Sequence, residues 1–270
     1  MKWRHSLCVV TACLLLAAVA HTDPPLGCGR SGALDFYLRA LARKDYVCAY
    51  RRLTQSERAY FGNAANLASV FESDRYRLQH YTLGASIGND RRCIVLVRER
   101  FSLRDYAHDR VVTLEGTIPY GVVRTAGRYS VKDAGHPRKA IPTDVSSKER
   151  GAAVAVRKIS FFPKYVQLVL TFTNMGDGFL TVMPYRKSVL KDDAGVVYRI
   201  MEAKDWRITD KQLFLGLRIA SNAQYTGFIN FQLPPGSLAD RLHLEIAPLV
   251  RERDALPFSI SLPPIDVSRT

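Results

Sequence analysis

The hydrophobic period of this chain changes once, near residue 75. From Gly32 to Asp74 the apolar residues keep helical spacing: Leu34, Tyr37, Leu38 and Leu41, then Tyr46, Val47, Tyr50 and Leu53. Two helices are expected to meet near Lys44, and a third, short one is expected over 63–72 with Leu67, Val70 and Phe71 on one side. Beyond Asp74 no long stretch keeps that spacing. Residues 76–86, 92–101, 111–123 and 128–131 read as strands, the first two joined at Gly88-Asn89-Asp90, with Cys93, Val95 and Val97 on one face of the second. Helices at one end and strands everywhere else predict an α+β unit followed by an all-β unit.

The boundary between them falls in residues 134–151, where two prolines, polar residues and little apolar periodicity suggest a linker. Short strand candidates then recur at 152–159, 165–173, 179–183, 196–200, 213–219, 225–233, 242–247 and 258–262, a spacing that suits an antiparallel sandwich. The expected organisation is therefore 30–133, a linker, and 152–264. With 47% hydrophobic residues and 24% charged residues, both units can bury real cores, and a disordered chain is excluded.

Residues 1–20 precede these units and carry Lys2 and Arg4, an apolar stretch from Leu7 to Ala17, and Ala18-Val19-Ala20. This is the pattern of a cleaved Sec-type signal peptide, and it points to a periplasmic or extracellular protein. No later segment reaches membrane-spanning length without charge, so no transmembrane segment is expected. Cys28, Cys48 and Cys93 remain after the signal, and in an oxidising compartment any two of them could pair. The formal charge of +14 favours anionic partners. No basic run exceeds two residues and no aromatic-basic motif accompanies them, so envelope polymers, lipid headgroups or an acidic protein are expected rather than nucleic acid.

Two resemblances sharpen this. Phe36-Tyr37, Ala40-Leu41, Lys44-Asp45-Tyr46, Ala49-Tyr50 and Leu53-Thr54, then strands closing on Gly127-Arg128-Tyr129-Ser130-Val131, resemble the NTF2-like superfamily of the SnoaL type. That resemblance implies an N-terminal cone in which helices lie over a curved antiparallel sheet and enclose a pocket. It also implies that Cys48 on a helix lies near Cys93 on the sheet, making them the favoured disulfide pair. Leu168, Leu170, Phe172 and Asn174, then Leu190, Asp192-Asp193, Gly195 and Tyr198, then Tyr225, Gly227, Ile229, Phe231 and Leu233-Pro234, resemble the DUF4352-type immunoglobulin-like domains of exported bacterial proteins. That second resemblance implies an immunoglobulin-like β-sandwich acting as an interaction module. Function is not established by fold resemblance.

Few residue sets suggest chemistry. Gly27 to Gly32 fits G-x-G-x-x-G but follows no strand, so it reads as an entry to the first helix and not as a dinucleotide site. His80 and Asp105 are the acid/base types near the implied pocket, with His108 close to Asp105, although loop or strand-face roles suit them equally. Tyr37, Tyr50, Tyr60 and Phe71 either line a pocket for an apolar ligand or pack a core. Arg92, Arg98 and Arg100 share one face of an alternating strand, as an anion-binding rim or a solvated edge, and Arg51-Arg52 pose the same choice. Asp177 and Asp192-Asp193 suit turns better than calcium loops, and no Cys/His spacing suggests zinc. No cofactor is expected. The sequence thus predicts an exported, noncatalytic binding protein engaging a protein partner, an anionic envelope component or an apolar small molecule. The alternatives are a SnoaL-like enzyme for a hydrophobic substrate, with His80 or Asp105 as base, and a structural envelope protein.

Overall fold

The computed structural model describes residues 30–106, 108–132, 136–201, 216–234, 240–254 and 256–268. The signal segment, Cys28, and the Pro235-Gly236 part of one expected turn lie outside these residues.

The helical region is cut into four pieces by its own capping residues. Helix α1 (Arg30–Ala42) stops where Lys44 turns left-handed at φ 59°. Asp45 then caps α2 (Tyr46–Arg52), its carboxylate accepting from the Cys48 N–H at 3.0 Å. Leu53 leaves α2 in an extended conformation and forms a parallel bridge with Val131. Thr54 caps α3 (Gln55–Phe61) by accepting from the Glu57 N–H, and Gly62 ends it at φ 81°. Asn63 opens α4 (Ala64–Ser73) by the same kind of side-chain bond to Asn66.

A four-stranded antiparallel meander follows: β1 (Arg77–Gly88), β2 (Arg92–Asp105), β3 (Arg110–Thr125) and β4 (Arg128–Lys132), hydrogen-bonded in that order. Alternation along β2 buries Cys93, Val95, Val97 and Glu99 and turns Arg92, Ile94, Arg98 and Arg100 outward. The buried face shares a core with Leu34, Tyr37, Leu38, Leu53, Leu67 and Phe71 of the helical region. Each fully buried leucine or phenylalanine contributes about 1.5–3 kcal/mol relative to an exposed one.

The remaining strands form two more antiparallel sheets around a second core. One has the order β13-β8-β7-β5, from β5 (Lys139–Pro142), β7 (Ala152–Phe161), β8 (Tyr165–Asn174) and β13 (Gln224–Gln232), with β6 (Ser146–Glu149) also on β7. The other runs β11-β10-β14-β9-β12, from β9 (Leu180–Val182), β10 (Val189–Asp192), β11 (Val197–Tyr198), β12 (Leu217–Ile219) and β14 (Arg241–Arg251). Strands β15 (Phe258–Ser261) and β16 (Ile265–Asp266) pair with β14 as well. Val154, Leu168 and Phe231 of the first sheet and Leu190, Leu244 and Ile260 of the second belong to one buried cluster.

The expected α+β class, with an NTF2-like cone and an immunoglobulin-like sandwich, is therefore corrected: the chain is mostly β, in three antiparallel sheets, and helices over a curved sheet in a cone are not evident. The helical period was real, but left-handed or extended residues at 44, 53 and 62 break it into short pieces, while hydrogen bonding between strands organises the rest. Residues 134–151 contain β5 and β6, both laid against β7. Their residues carry little local strand signal, and the partner strand supplies the order.

The first sheet and helix α4 sit directly on this β unit: Thr226 of β13 donates to the Tyr106 carbonyl at 3.4 Å, and Lys158 of β7 donates to the Asp74 carboxylate, while Tyr106 donates its hydroxyl to the Ser73 carbonyl at 2.7 Å. Burial pushes the Tyr106 phenol pKa up, and the neighbouring Asp74 charge adds to that shift. Tyr60 donates to the His136 carbonyl at 2.9 Å, and Ala140 of β5 joins the helical core.

Candidate anion-binding cleft

The parallel bridge between Leu53 and Val131, reinforced by the Thr54 N–H donating to the Val131 carbonyl at 2.9 Å, ties the α2–α3 junction to the edge of β4. This join leaves an open cleft of about 1050 Å³ at the β3–β4 end of the meander. One wall carries Arg51, Arg52 and Arg58 from α2 and α3, and the other carries Arg92, Arg128 and Lys132 from β2 and β4. Among the described residues, no aspartate or glutamate lines it.

Local contacts set how these cations are held. The Arg52 guanidinium lies 4.2 Å from the Phe36 ring centroid, a cation–π contact that keeps it extended over an exposed aromatic. Arg58 donates to the Arg51 carbonyl at 3.2 Å. Tyr50 donates its hydroxyl at 2.9 Å to the Arg58 and Gly62 carbonyls, pinning the end of α3. On the sheet wall a β-carbon on Gly121 would stand 3.1 Å from Lys132 Cβ and 3.8 Å from its Cδ, so the lysine stem passes over that glycine. Thr54, Ser56, Thr125, Tyr129 and Ser130 supply hydroxyls between the charges. Like charges around a concave wall focus a positive potential, and an entering anion relieves their mutual repulsion.

The sequence candidates fall in different places. Tyr37 is fully buried, with its ring edge-on to Tyr120 at 6.2 Å. Phe71 is buried and stacks on Tyr46 at 6.0 Å. Tyr50 and Tyr60 hold backbone carbonyls, and none of these four lines the cleft. Its aromatics are Phe36 and Tyr129 instead. His80 is exposed on β1 beside Arg100. Asp105, the last residue of β2, holds its carboxylate 2.7 Å from Nδ1 of His108 in the turn that follows, away from the cleft. Arg98 is exposed and pairs with Glu115 at 3.5 Å.

Among the described residues Cys48 and Cys93 are free cysteines, not bonded to each other in this structure. Cys93 is buried on the inner face of β2, while Cys48 sits at the start of α2, where the Asp45 carboxylate pushes its thiol pKa up. Among the described residues no cluster of three or more His, Cys, Asp or Glu side chains could hold a metal ion, and no helix is long and apolar enough to cross a membrane.

Arg51, Arg52 and Arg92 are among the sequence candidates for anion binding, whereas Arg58, Arg128 and Lys132 are not. Their signal was weak, because only the bridge between residues 53 and 131 brings these distant segments together.

Neither a protein-family model nor a curated protein matches the chain. Among solved structures, the yjhA protein from Bacillus subtilis is similar over 37% of this chain and 76% of its own, at 14% identity and a TM-score of 0.30.

Proposed function

We propose that the protein is an exported, noncatalytic binding protein that takes an anionic component of the cell envelope or extracellular space into the cleft between α1–α3 and the β2–β4 end of the first sheet. One observation carries this reading: among the described residues, six cations from two walls and no carboxylate line a cleft of about 1050 Å³. Export is supported by the signal pattern of residues 1–20.

The test is calorimetric titration of the full chain with tripolyphosphate and with a neutral oligosaccharide, for the native protein and Arg51→Glu/Arg52→Glu. Circular dichroism establishes that the variant is folded. Binding of the anion alone, weakened by salt and reduced roughly tenfold or more by the two reversals, is expected. Equal binding by both proteins, or no binding of the anion by the native one, overturns the proposal.

A further inference from the structure

We infer that the anion is a linear polymer with repeated charges, which enters the cleft and continues along the solvent face of β2. The inference rests on the cleft being an anion site, and it adds the shape of the ligand.

Arg92 and Ile94 line the cleft, and both project from the outward face of β2. The same alternation places Arg98 and Arg100 farther along that face, both exposed. At about 3.4 Å per residue, the run from Arg92 to Arg100 extends roughly 27 Å beyond the first cleft contact. The neighbouring strands leave this path without acidic side chains for most of its length. Gly121, crossed by the Lys132 stem, and Ile87 stand opposite Ile94, Pro119 stands opposite Leu96, and Thr82 and Thr117 flank Arg98.

Among the described residues, the carboxylate on the path is Glu115, opposite Arg100 and 3.5 Å from an Arg98 nitrogen. The side chains of that pair are 76% and 54% exposed, so the contact is weak and an arriving anion can replace it. A compact anion would engage only part of such an array, since the six cleft cations occupy two walls and the exposed cations run on beyond them. A flat anionic bilayer would meet the rim of the cleft but not the cations on its concave walls.

The experiment compares tripolyphosphate with long-chain polyphosphate, and poly-glutamate with both, on the full chain by calorimetry. Long-chain polyphosphate is expected to bind roughly tenfold or more tighter than tripolyphosphate and to show the steeper salt dependence. Arg98→Ala/Arg100→Ala should remove most of that gain and leave tripolyphosphate binding unchanged. Arg51→Glu/Arg52→Glu should weaken both. Poly-glutamate binding as tightly as polyphosphate assigns the site to repeated charge in general, and failure of poly-glutamate assigns it to phosphate; either outcome supports a polymer. Native affinity that does not depend on length, or a length gain untouched by Arg98→Ala/Arg100→Ala, overturns the polymer while leaving the anion cleft standing. Failure of every soluble anion overturns both, and retention on phosphatidylglycerol vesicles in that case would assign the charge to a membrane surface.

Discussion

The guanidinium of Arg251 lies against the backbone of Gly176 so closely that a β-carbon on the glycine would stand 2.3 Å from Nη1 and 2.6 Å from Cζ. Arg251 is 9% exposed, and it donates to the Arg150 carbonyl, to Asn174 Oδ1 at 3.3 Å and to the Asp177 carbonyl at 3.4 Å. Nearly buried and held by neutral oxygens, it ties the loop after β8 to the end of β14.

Gly176→Ala should therefore destabilise the β unit by about 2–3 kcal/mol, because the methyl group must displace a hydrogen-bonded guanidinium and not a free chain end. Arg251→Ala alone should also destabilise it, by removing the guanidinium that donates to the Arg150 and Asp177 carbonyls, while Asn174 Oδ1 keeps the Gly176 N–H at 3.1 Å. The double variant should cost clearly less than the sum, since each change removes the partner of the other. Urea unfolding of the four proteins measures the coupling, and strict additivity would sink this account of the glycine.

How much of this was legible in the sequence differs from element to element. The alternation of β2 was, since Cys93, Val95 and Val97 lie inside while Arg92, Arg98 and Arg100 lie outside. Helix α3 was not read, because Gln55-Ser56-Glu57-Arg58 gives no apolar period and Phe61 is its one fully buried residue. A signal did exist there: Thr54 with Glu57 three positions on is the start of a capping box, and the Thr54 oxygen does accept from the Glu57 N–H. Strands β5 and β6 had no such signal, since Lys139–Pro142 and Ser146–Glu149 are ordered by β7 and not by their own composition. The cleft was half legible for the same reason. A pair such as Arg51-Arg52 is visible in a sequence, while its approach to Arg128 and Lys132 depends on a bridge between distant residues.

Burial pushes the phenols of Tyr46 and Tyr60 up to about 12 from the ordinary 10.0, with nearby Glu72 and Glu57 adding to the effect. A raised folded-state pKa means that the folded chain keeps these protons longer than the unfolded chain does. The stabilisation is thus fully present below about pH 10 and is lost as pH rises through about 12. Tyr60→Phe should lower stability near neutral pH by about 1 kcal/mol, through loss of the hydroxyl's bond to the His136 carbonyl. It should also flatten the alkaline fall, since one of the raised phenol titrations is removed. Thermal melts of both proteins between pH 8 and about 12 check the sign, and an identical slope for the variant would show that Tyr60 does not take part.

The two free thiols should differ in reactivity. Cys93 is 2% exposed and should resist alkylation until the chain unfolds. Cys48 is partly exposed, but the hydrogen bond and negative charge of Asp45 hold its pKa above the usual thiol value, so it should react more slowly than an unhindered cysteine. Asp45→Asn retains a capping oxygen for the Cys48 N–H while removing the charge. Several-fold faster alkylation of Cys48 at pH 8 is expected in that variant, with helix content unchanged. Iodoacetamide labelling followed by peptide mass analysis resolves the two sites. A Cys48–Cys93 linked peptide from native protein would contradict the free-thiol state.

Gly121 and Lys132 provide the most local test of the cleft. They stand opposite each other on β3 and β4, and the lysine stem crosses the space that a side chain at 121 would occupy. Gly121→Ala sets its methyl group 3.1 Å from Lys132 Cβ and 3.4 Å from the Lys132 carbonyl oxygen, so β4 and the lysine stem must give by a few tenths of an ångström, at a stability cost of about 1 kcal/mol. Moving the stem, however, takes the ammonium out of its place among Arg92, Arg128 and the helix-borne arginines. Tripolyphosphate affinity should fall about three- to fivefold, as expected for one cation of a partly solvated array. Lys132→Gln should produce the same loss, and the double variant should lose little more than either single one, because both act through one charge. Calorimetric titration of the three variants decides the matter: full affinity in Gly121→Ala combined with reduced affinity in Lys132→Gln would mean that the lysine binds from a position the glycine does not set.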